Sequence, residues 1–150
     1  MKREKGFSVF RPQSRRKPFA MNIPACDRLE LREEQGKVTI PFEPNRNDKG
    51  CLFAGSLYSG AILAAYRSAE RRFAERGLNG ALVAKGAAVR YLKSVATDGT
   101  AVAAACGEPQ LKPNGNHALT VTVEVRDAAG VPCAELQADM VLMKPRKSAV

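Results

Sequence analysis

The chain has 150 residues, of which 45% are hydrophobic and 26% are charged. This length suits one domain with a hydrophobic core and is too short for two, so the fold needs neither a disulfide nor a metal ion. The four cysteines form no Cys-x-x-Cys pair, and the single histidine, His117, leaves too few ligands for a zinc site. We therefore expect a domain with no metal site and no cofactor.

Positive charge is concentrated at the N-terminus. Residues 1–20 contain seven basic side chains and one acid, and so contribute +6 of the net charge of +9. Pro12 and Pro18 lie in this segment, which shows no clean periodicity. We therefore predict a basic, flexible arm over residues 1–20 and a single folded domain over residues 21–150.

The sequence also argues against several classes of protein. No apolar run approaches the roughly 20 residues that a membrane-spanning helix needs, and no apolar stretch follows the N-terminal charges as in a secretory signal peptide. We therefore expect a cytoplasmic protein without a membrane partner. A basic arm can also bind nucleic acid, but no recognition helix, zinc finger or set of stacking aromatic residues accompanies it, which argues against a nucleic-acid partner.

A strand and a loop are predicted first along the chain. Val38, Ile40 and Phe42 alternate with polar or turn residues, which predicts a strand that ends at Pro44. A preceding turn at Gln35-Gly36 would make this strand part of a hairpin. Residues 45–50 are polar and form a loop by composition.

A long helix is predicted next, from Ala54 or Gly55 to Arg76. Its first half is apolar nearly all round and its second half is amphipathic, which indicates that the helix enters the interior and emerges at its C-terminus. Gly77 follows at the position where a left-handed C-terminal cap is expected.

After Gly80 the hydrophobic period changes to two. This alternation predicts four strands, over residues 81–92, 100–106, 118–126 and 131–143. Short turn signals separate them, so we predict an antiparallel meander. The resulting fold class is α+β, with an antiparallel sheet wrapped around one long central helix.

The loop that enters the helix is the segment most suited to chemistry. First-turn N–H groups of a helix have no intrahelical partner, and the helix dipole adds positive potential there. Ala54 and Gly55 have no bulky side chains, so a carbonyl or phosphate oxygen could approach their backbone closely. A helix start packed tightly against a strand explains the same small residues.

Two common motifs are excluded in this segment. Gly50 and Gly55 have the spacing of a P-loop, but Ser56 stands where nucleotide hydrolysis requires lysine. The chain also contains no Gly-x-Ser-x-Gly nucleophile elbow, which argues against a serine hydrolase.

The segment resembles hotdog-fold acyl-CoA thioesterases, whose signature Asn-His-x-Gly-Thr-x-His-Gly-Gly corresponds here to Asn47-Asp48-Lys49-Gly50-Cys51-Leu52-Phe53-Ala54-Gly55. It is still more similar to a thioesterase subgroup that is also found as a C-terminal domain fused to an acetyltransferase-like domain. The resemblance covers roughly residues 21–144 and includes Val89-Arg90-Tyr91-Leu92. It implies the hotdog fold, a thioesterase activity on acyl-CoA or acyl carrier protein, and a site between subunits of a homodimer or homotetramer.

The resemblance also implies residue roles. In the family a backbone N–H at the helix start polarises the thioester carbonyl, and Ala54 and Gly55 occupy those positions. Asn47 is similar to a residue that positions water or substrate. Asp48 stands where relatives have histidine, and we assign it the task of orienting or deprotonating a water. A solvated or capping carboxylate is the alternative interpretation of Asp48.

Other residues are assigned to substrate binding. Phe53 stands where relatives have the second histidine of the signature. Ser56 and Ser59 could contact the substrate carbonyl, and Lys85 and Arg90 could contact coenzyme A phosphates or a carrier protein. Capping hydroxyls and solvated charges are the simpler interpretations of these four residues.

One departure from the family pattern leaves alternatives open. Related enzymes often have an acid on the helix seven residues after the second glycine, and this chain has Ile62 there. The first alternative is therefore a catalytically weak module that binds acyl thioesters. The second is an interaction protein whose basic arm engages an acidic partner.

Overall fold

Seven antiparallel strands form one sheet that wraps around a single long helix. The computed structural model describes residues 22–145, so the predicted basic arm lies outside the described residues. In chain order the elements are α1 (Pro24–Arg28), β1 (Arg32–Glu34), β2 (Lys37–Ile40), α2 (Phe42–Asn45), α3 (Ala54–Glu75), β3 (Ala81–Tyr91), β4 (Gly99–Cys106), β5 (Gln110–Leu111), β6 (His117–Arg126) and β7 (Pro132–Met143). The predicted α+β class is confirmed.

The long helix α3 begins at Ala54, as predicted, and ends at Glu75, one residue before the predicted end. Phe53 precedes it with an extended backbone, and Gly77 follows it with a φ of 69°. The N–H of Gly77 donates to the carbonyl of Ala74 over 3.0 Å, and the N–H of Leu78 donates to that of Phe73 over 2.9 Å. These two bonds form a Schellman cap, which needs a residue that tolerates a left-handed conformation.

The core lies between α3 and the concave face of the sheet. Ala61, Ala64, Ala65 and Ala69 of α3 are all buried, and their small side chains let the helix approach the strands closely. The facing strands contribute alternate residues, as their period of two predicts. The buried residues of β6 and β7 include Val121, Val123, Val125, Leu136, Ala138 and Met140.

The predicted meander is only partly correct. The sheet order is β1-β2-β4-β6-β7-β3, with β5 paired to β6, so β4, β6 and β7 are consecutive neighbours but β3 is not beside β4. Instead β3 pairs with β7 at the edge of the sheet, in a register that runs from Ala81 opposite Met143 to Tyr91 opposite Ala134. The segment over residues 92–98 therefore crosses the molecule rather than making a tight turn.

The N-terminal part of the domain also differs from the prediction. The hairpin is present as β1 and β2, but β2 ends at Ile40, and Pro41 precedes the short helix α2 in place of a longer strand. The short elements α1 and β5 have no counterpart among the predicted elements. Between residues 22 and 145, no helix is both long and apolar enough to cross a bilayer.

Candidate active site

A cleft of about 340 Å³ lies beside the N-terminus of α3. Three segments form it: the loop before α3, the first turn of α3, and the segment that follows β3. Leu52 donates its N–H to the carbonyl of the buried Val95 over 2.7 Å, which ties the loop to the crossing segment. The lining residues are Asn47, Cys51, Leu52, Ala54, Leu57, Tyr91, Leu92, Lys93, Ser94 and Val95.

The loop before α3 is organised by Asn47. Its Oδ1 accepts hydrogen bonds from the N–H of Lys49 at 2.9 Å and from the N–H of Cys51 at 3.0 Å. Its own N–H donates to the carbonyl of Cys51 over 2.6 Å. The Asn47 oxygen is therefore engaged within the loop, and the Nδ2 group is the part of this side chain left to contact a ligand.

The first turn of α3 offers two amides. Phe53 caps the helix without a side-chain hydrogen bond, and its carbonyl accepts from the N–H groups of Ser56 and Leu57 at 3.0 and 3.1 Å. The N–H groups of Ala54 and Gly55 find no acceptor among residues 22–145. Ala54 is exposed and lines the cleft. Such unpaired first-turn amides favour a ligand oxygen with partial negative charge.

Phe53 lies over this first turn. The residue is 55% exposed, and a Cβ added to Gly55 would lie 2.5 Å from the Cε1 atom of Phe53. The ring therefore packs against the Cα of Gly55 while its far side meets solvent. Phe53 is close to the two amides, although it is not among the residues that line the cleft.

Tyr91, named above only as part of the resemblance and given no role there, forms the opposite wall of the cleft. Its hydroxyl donates to the carbonyl of Ala54 over 2.9 Å. Tyr91 is the last residue of β3, opposite Ala134 of β7. Because this position depends on β3 pairing with β7, which is distant in sequence, no local pattern signals that Tyr91 meets the start of α3.

The carboxylate of Asp48 lies on the solvent side of the loop. Its side chain is 82% exposed and pairs with Nζ of Lys49 at 3.1 Å. It does not line the cleft, whereas its neighbour Asn47 does.

The two serines assigned to substrate binding lie away from the cleft. Ser56 is buried, with 2% exposure. The hydroxyl of Ser59 donates to the carbonyl of Gly55 over 2.8 Å, one turn earlier in the same helix. Neither lines the cleft. Ile62, at the position where relatives have an acid, is partly buried against the core.

The basic residues divide between the sheet edge and the cleft. Lys85 and Arg90 are exposed on β3, with Lys85 at a β-bulge, and neither lines the cleft. Lys93 does line it, and its Nζ pairs with Oδ2 of Asp127 at 2.7 Å. The hydrogen bond between them raises the pKa of Lys93 and lowers the pKa of Asp127. Lys93 is therefore held as a cation at the cleft.

The cleft also contains a free thiol. Cys51, a free and partly exposed cysteine, is one of the lining residues. Within the described part of the chain, no group of three or more His, Cys, Asp or Glu side chains could hold a metal ion.

Several solved structures share this fold at low sequence identity. A "putative thioesterase" from Shewanella oneidensis matches with a TM-score of 0.66 and 20% identity, over 82% of this chain and 90% of that one. A thioesterase from Haemophilus influenzae matches with a TM-score of 0.65 and 15% identity, over 84% and 87% of the two chains. A Bacillus halodurans protein solved with CoA matches with a TM-score of 0.60 and 16% identity, over 79% and 76%.

The sequence matches one family model over residues 17–144. No curated protein matches the chain. Because the family match covers most of the sequence, and the neighbouring structures share a sheet wrapped around a long helix, the resemblance to hotdog thioesterases is confirmed. The chain belongs to the family described as "Putative thioesterase (yiiD_Cterm)".

Proposed function

We propose that this protein hydrolyses acyl thioesters of coenzyme A or acyl carrier protein in the cleft beside α3. The observation that supports this most directly is the pair of unpartnered amides at Ala54 and Gly55, next to a cleft, in a chain of a thioesterase family. Thioester hydrolysis develops negative charge on the carbonyl oxygen, and preorganised N–H donors stabilise such an oxyanion.

The proposed reaction uses water as the nucleophile. Water attacks the thioester carbonyl carbon while Asp48, whose carboxylate lies on the outer side of the loop, takes one of its protons through an intervening water. The carbonyl oxygen becomes an oxyanion that accepts from Ala54 and Gly55. The tetrahedral intermediate then expels the thiolate, which receives the proton from Asp48. One well-placed oxyanion donor contributes about 3–4 kcal/mol to such a step.

Asn47 and Phe53 have supporting roles in this proposal. The Nδ2 group of Asn47 orients the water or the acyl group, since its oxygen is already used within the loop. The exposed ring of Phe53 covers the amides and contacts the acyl chain. Ser56 and Ser59 then act by shaping the helix start, because one is buried and the other bonds to Gly55.

Charge around the cleft suits a coenzyme A substrate. Lys93 supplies a fixed cation at the cleft, and Lys85 and Arg90 supply further positive charge along β3. Phosphate groups are bound by such residues. The Bacillus halodurans neighbour was solved with CoA, which supports CoA rather than a carrier protein as the first substrate to test.

A second copy of the chain would complete the site. Strand β3 is 11 residues long and forms a sheet edge, and among the described residues nothing pairs with its outer side. Val83, Tyr91 and Leu92 are 41%, 48% and 44% exposed on or just after it. Long apolar edges of this kind are usually covered. We propose a homodimer through β3, which is also the unit from which a homotetramer would form.

A binding module without turnover is the second candidate function. It is favoured by Ile62, which replaces the usual acid of the helix, and by Asp48, whose carboxylate lies on the solvent side of the loop. This candidate predicts saturable binding of acyl-CoA with no release of thiol.

The experiment measures free thiol released from short, long and aromatic acyl-CoAs by the wild type and by Asp48→Asn. A general base contributes about 10²–10⁴-fold, so we expect a drop of that size in kcat. The matched control is Glu43→Gln, since Glu43 is also an exposed carboxylate, 80% exposed and paired with Arg46. Equal kcat in Asp48→Asn and the wild type would contradict the role of Asp48.

A companion variant tests Asn47. Asn47→Asp keeps the oxygen that accepts from Lys49 and Cys51 but removes the Nδ2 donors. We expect kcat/KM to fall in this variant while the thermal unfolding temperature stays near that of the wild type. Wild-type kcat/KM in Asn47→Asp would exclude a contact between Nδ2 and the reacting groups.

A further inference from the structure

The hydroxyl of Tyr91 contacts the same peptide group that carries one of the two candidate donors. The carbonyl of Ala54 and the N–H of Gly55 belong to one planar peptide unit. Tyr91 donates to that carbonyl over 2.9 Å, and the N–H of Gly55 has no acceptor among residues 22–145. The hydroxyl and the free amide hydrogen therefore lie at opposite ends of one rigid unit.

A hydrogen bond to a carbonyl changes the amide at the other end of the peptide. Donation to the oxygen draws electron density toward it and makes the N–H a stronger donor, an effect estimated at about 10–30% per bond. The bond also adds to the restraint that the first turn of α3 places on this peptide plane, and so on the direction of the N–H. Electrostatic catalysis depends on donors that are already oriented when charge develops.

The wall that holds Tyr91 is itself firmly anchored. Just beyond Tyr91, the N–H groups of Leu92 and Lys93 both donate to the carbonyl of Cys133, at 2.8 and 3.3 Å. Cys133 is buried. The phenol thus reaches the helix from a strand end tied into the sheet, while Tyr91 as a whole remains 48% exposed and lines the cleft.

We propose that Tyr91 is a positioning residue, whose hydroxyl orients and polarises the Ala54–Gly55 peptide so that the Gly55 N–H can stabilise the oxyanion. This inference rests on the proposed thioester hydrolysis. It adds a residue that acts through the backbone and not on the substrate, from a strand end 37 residues after Ala54.

The test compares Tyr91→Phe with the wild type in two measurements. Phenylalanine keeps the ring that lines the cleft and removes only the hydroxyl, so we expect kcat for acyl-CoA hydrolysis to fall about three- to tenfold with KM unchanged within about twofold. The second measurement is the amide ¹⁵N resonance of Gly55 without substrate. Loss of the hydrogen bond to the preceding carbonyl should shift this resonance upfield, more than other amides of α3.

The matched control is Tyr66→Phe, which removes the hydroxyl of a partly buried tyrosine elsewhere on α3. It should leave kcat, KM and the Gly55 resonance as in the wild type. If the wild type hydrolyses acyl-CoA but Tyr91→Phe has the same kcat, the positioning role is wrong and the proposed function stands. The same holds if the Gly55 resonance does not move in Tyr91→Phe. Absence of turnover in the wild type would overturn the proposed function and this inference with it.

Discussion

Gly55 and Gly60 lie five residues apart on α3. Their surroundings predict that alanine at Gly55 affects activity, whereas alanine at Gly60 affects stability. The three atoms nearest to a methyl group at Gly55 would all belong to the ring of Phe53, which is exposed and can rotate away. We expect Gly55→Ala to change the free energy of unfolding by less than about 1 kcal/mol, since alanine also favours the helix. The methyl and the displaced ring would obstruct the two amides, and a displacement near 1 Å can cost about 100-fold in rate.

The measurement pairs kcat/KM for acyl-CoA with chemical unfolding of the same variant. Retained stability with a drop in kcat/KM of tenfold or more is the expected outcome. Full activity in Gly55→Ala would show that no ligand oxygen approaches this turn.

Gly60 provides the structural contrast. A Cβ there would collide with Cδ1 of Ile40 and lie 2.5 Å from its Cγ1, and both residues are buried between α3 and β2. Overpacking of a closed core costs about 1–3 kcal/mol. We expect Gly60→Ala to lower the thermal unfolding temperature by several degrees. An unchanged unfolding temperature would mean that β2 does not pack against α3 as closely as described.

The candidate site residues predicted from the sequence are neighbours along the chain, and the prediction missed a cleft residue that is not. Asn47, Ala54 and Gly55 are close in sequence, so the small residues at a helix start indicated where a ligand oxygen could approach. Tyr91 reaches the same place from a strand end 37 residues away, through a register that only the folded sheet defines. Asp48 and Ser59 are close to these residues in sequence but do not line the cleft. Sequence position alone does not tell whether a polar group faces a cleft, solvent or the backbone.

At the scale of elements, the crossing of residues 92–98 is what brings the two halves of the cleft together. The turn signal Thr97-Asp98-Gly99 is present, but a turn signal does not distinguish a hairpin from a longer connection. The alternation that predicts β6 and β7 is confirmed because both strands have one buried and one solvated face. Strand β3 is mostly exposed on both faces, so its hydrophobic pattern does not predict which strand it pairs with.

A carboxylate clamp joins the end of α3 to the loop after β4. Glu108 accepts from Nη1 of Arg72 at 2.7 Å, and from Nε and Nη2 of Arg76 at 2.9 and 2.8 Å. Arg72 also donates to the carbonyl of Cys106 over 3.1 Å. The hydrogen bond from Arg76 is the main reason why the pKa of Glu108 is lowered from its ordinary value of 4.5.

This clamp predicts a specific pH dependence of stability. Because the folded pKa of Glu108 lies below the unfolded one, its contribution is fully present above about pH 4.5 and is lost as the pH falls through the lower, folded value. We expect Glu108→Gln to be less stable than the wild type at pH 7, with the difference disappearing in acid. Thermal unfolding between pH 7 and pH 3 measures this.

The control for the clamp is Glu135→Gln, on the exposed side of β7, where no ion pair involves Glu135 within the described residues. It should follow the wild-type pH profile. A difference between Glu108→Gln and the wild type that is as large at pH 3 as at pH 7 would contradict the clamp.

At the scale of the whole molecule, the proposed dimer forms through the edge strand β3, so a change in this strand should affect both assembly and activity. A Cβ at Gly86 in the middle of β3 would meet nothing within 4 Å in one protomer, so a side chain there should disturb only a partner. We expect the wild type to have at least twice the 16.2 kDa mass of one chain in solution. Gly86→Lys should shift toward the monomer and lose hydrolytic activity in parallel, because lysine at a sheet edge opposes pairing.

Light scattering after size exclusion, with activity measured on the same fractions, tests this prediction. Ala129→Lys, in the exposed turn before β7, introduces the same charge away from the edge and should keep the wild-type mass. A fully active monomer would contradict the site between subunits.

The start of α3 allows one of the two proposed oxyanion donors to be deleted on its own. Ala54 is the first helical residue, where proline is well tolerated, and Phe53 before it has a φ of −62° and a ψ of 134°, which a following proline favours. Ala54→Pro therefore removes one N–H while the helix is retained.

The most direct test of amide-assisted thioester hydrolysis is thiol release from acyl-CoA by the wild type and by Ala54→Pro at matched folded fraction. We predict turnover in the wild type and a loss of about 10²–10³-fold in kcat in the variant. Wild-type kcat in Ala54→Pro, or no thiol release by the wild type from any acyl-CoA, would contradict the account.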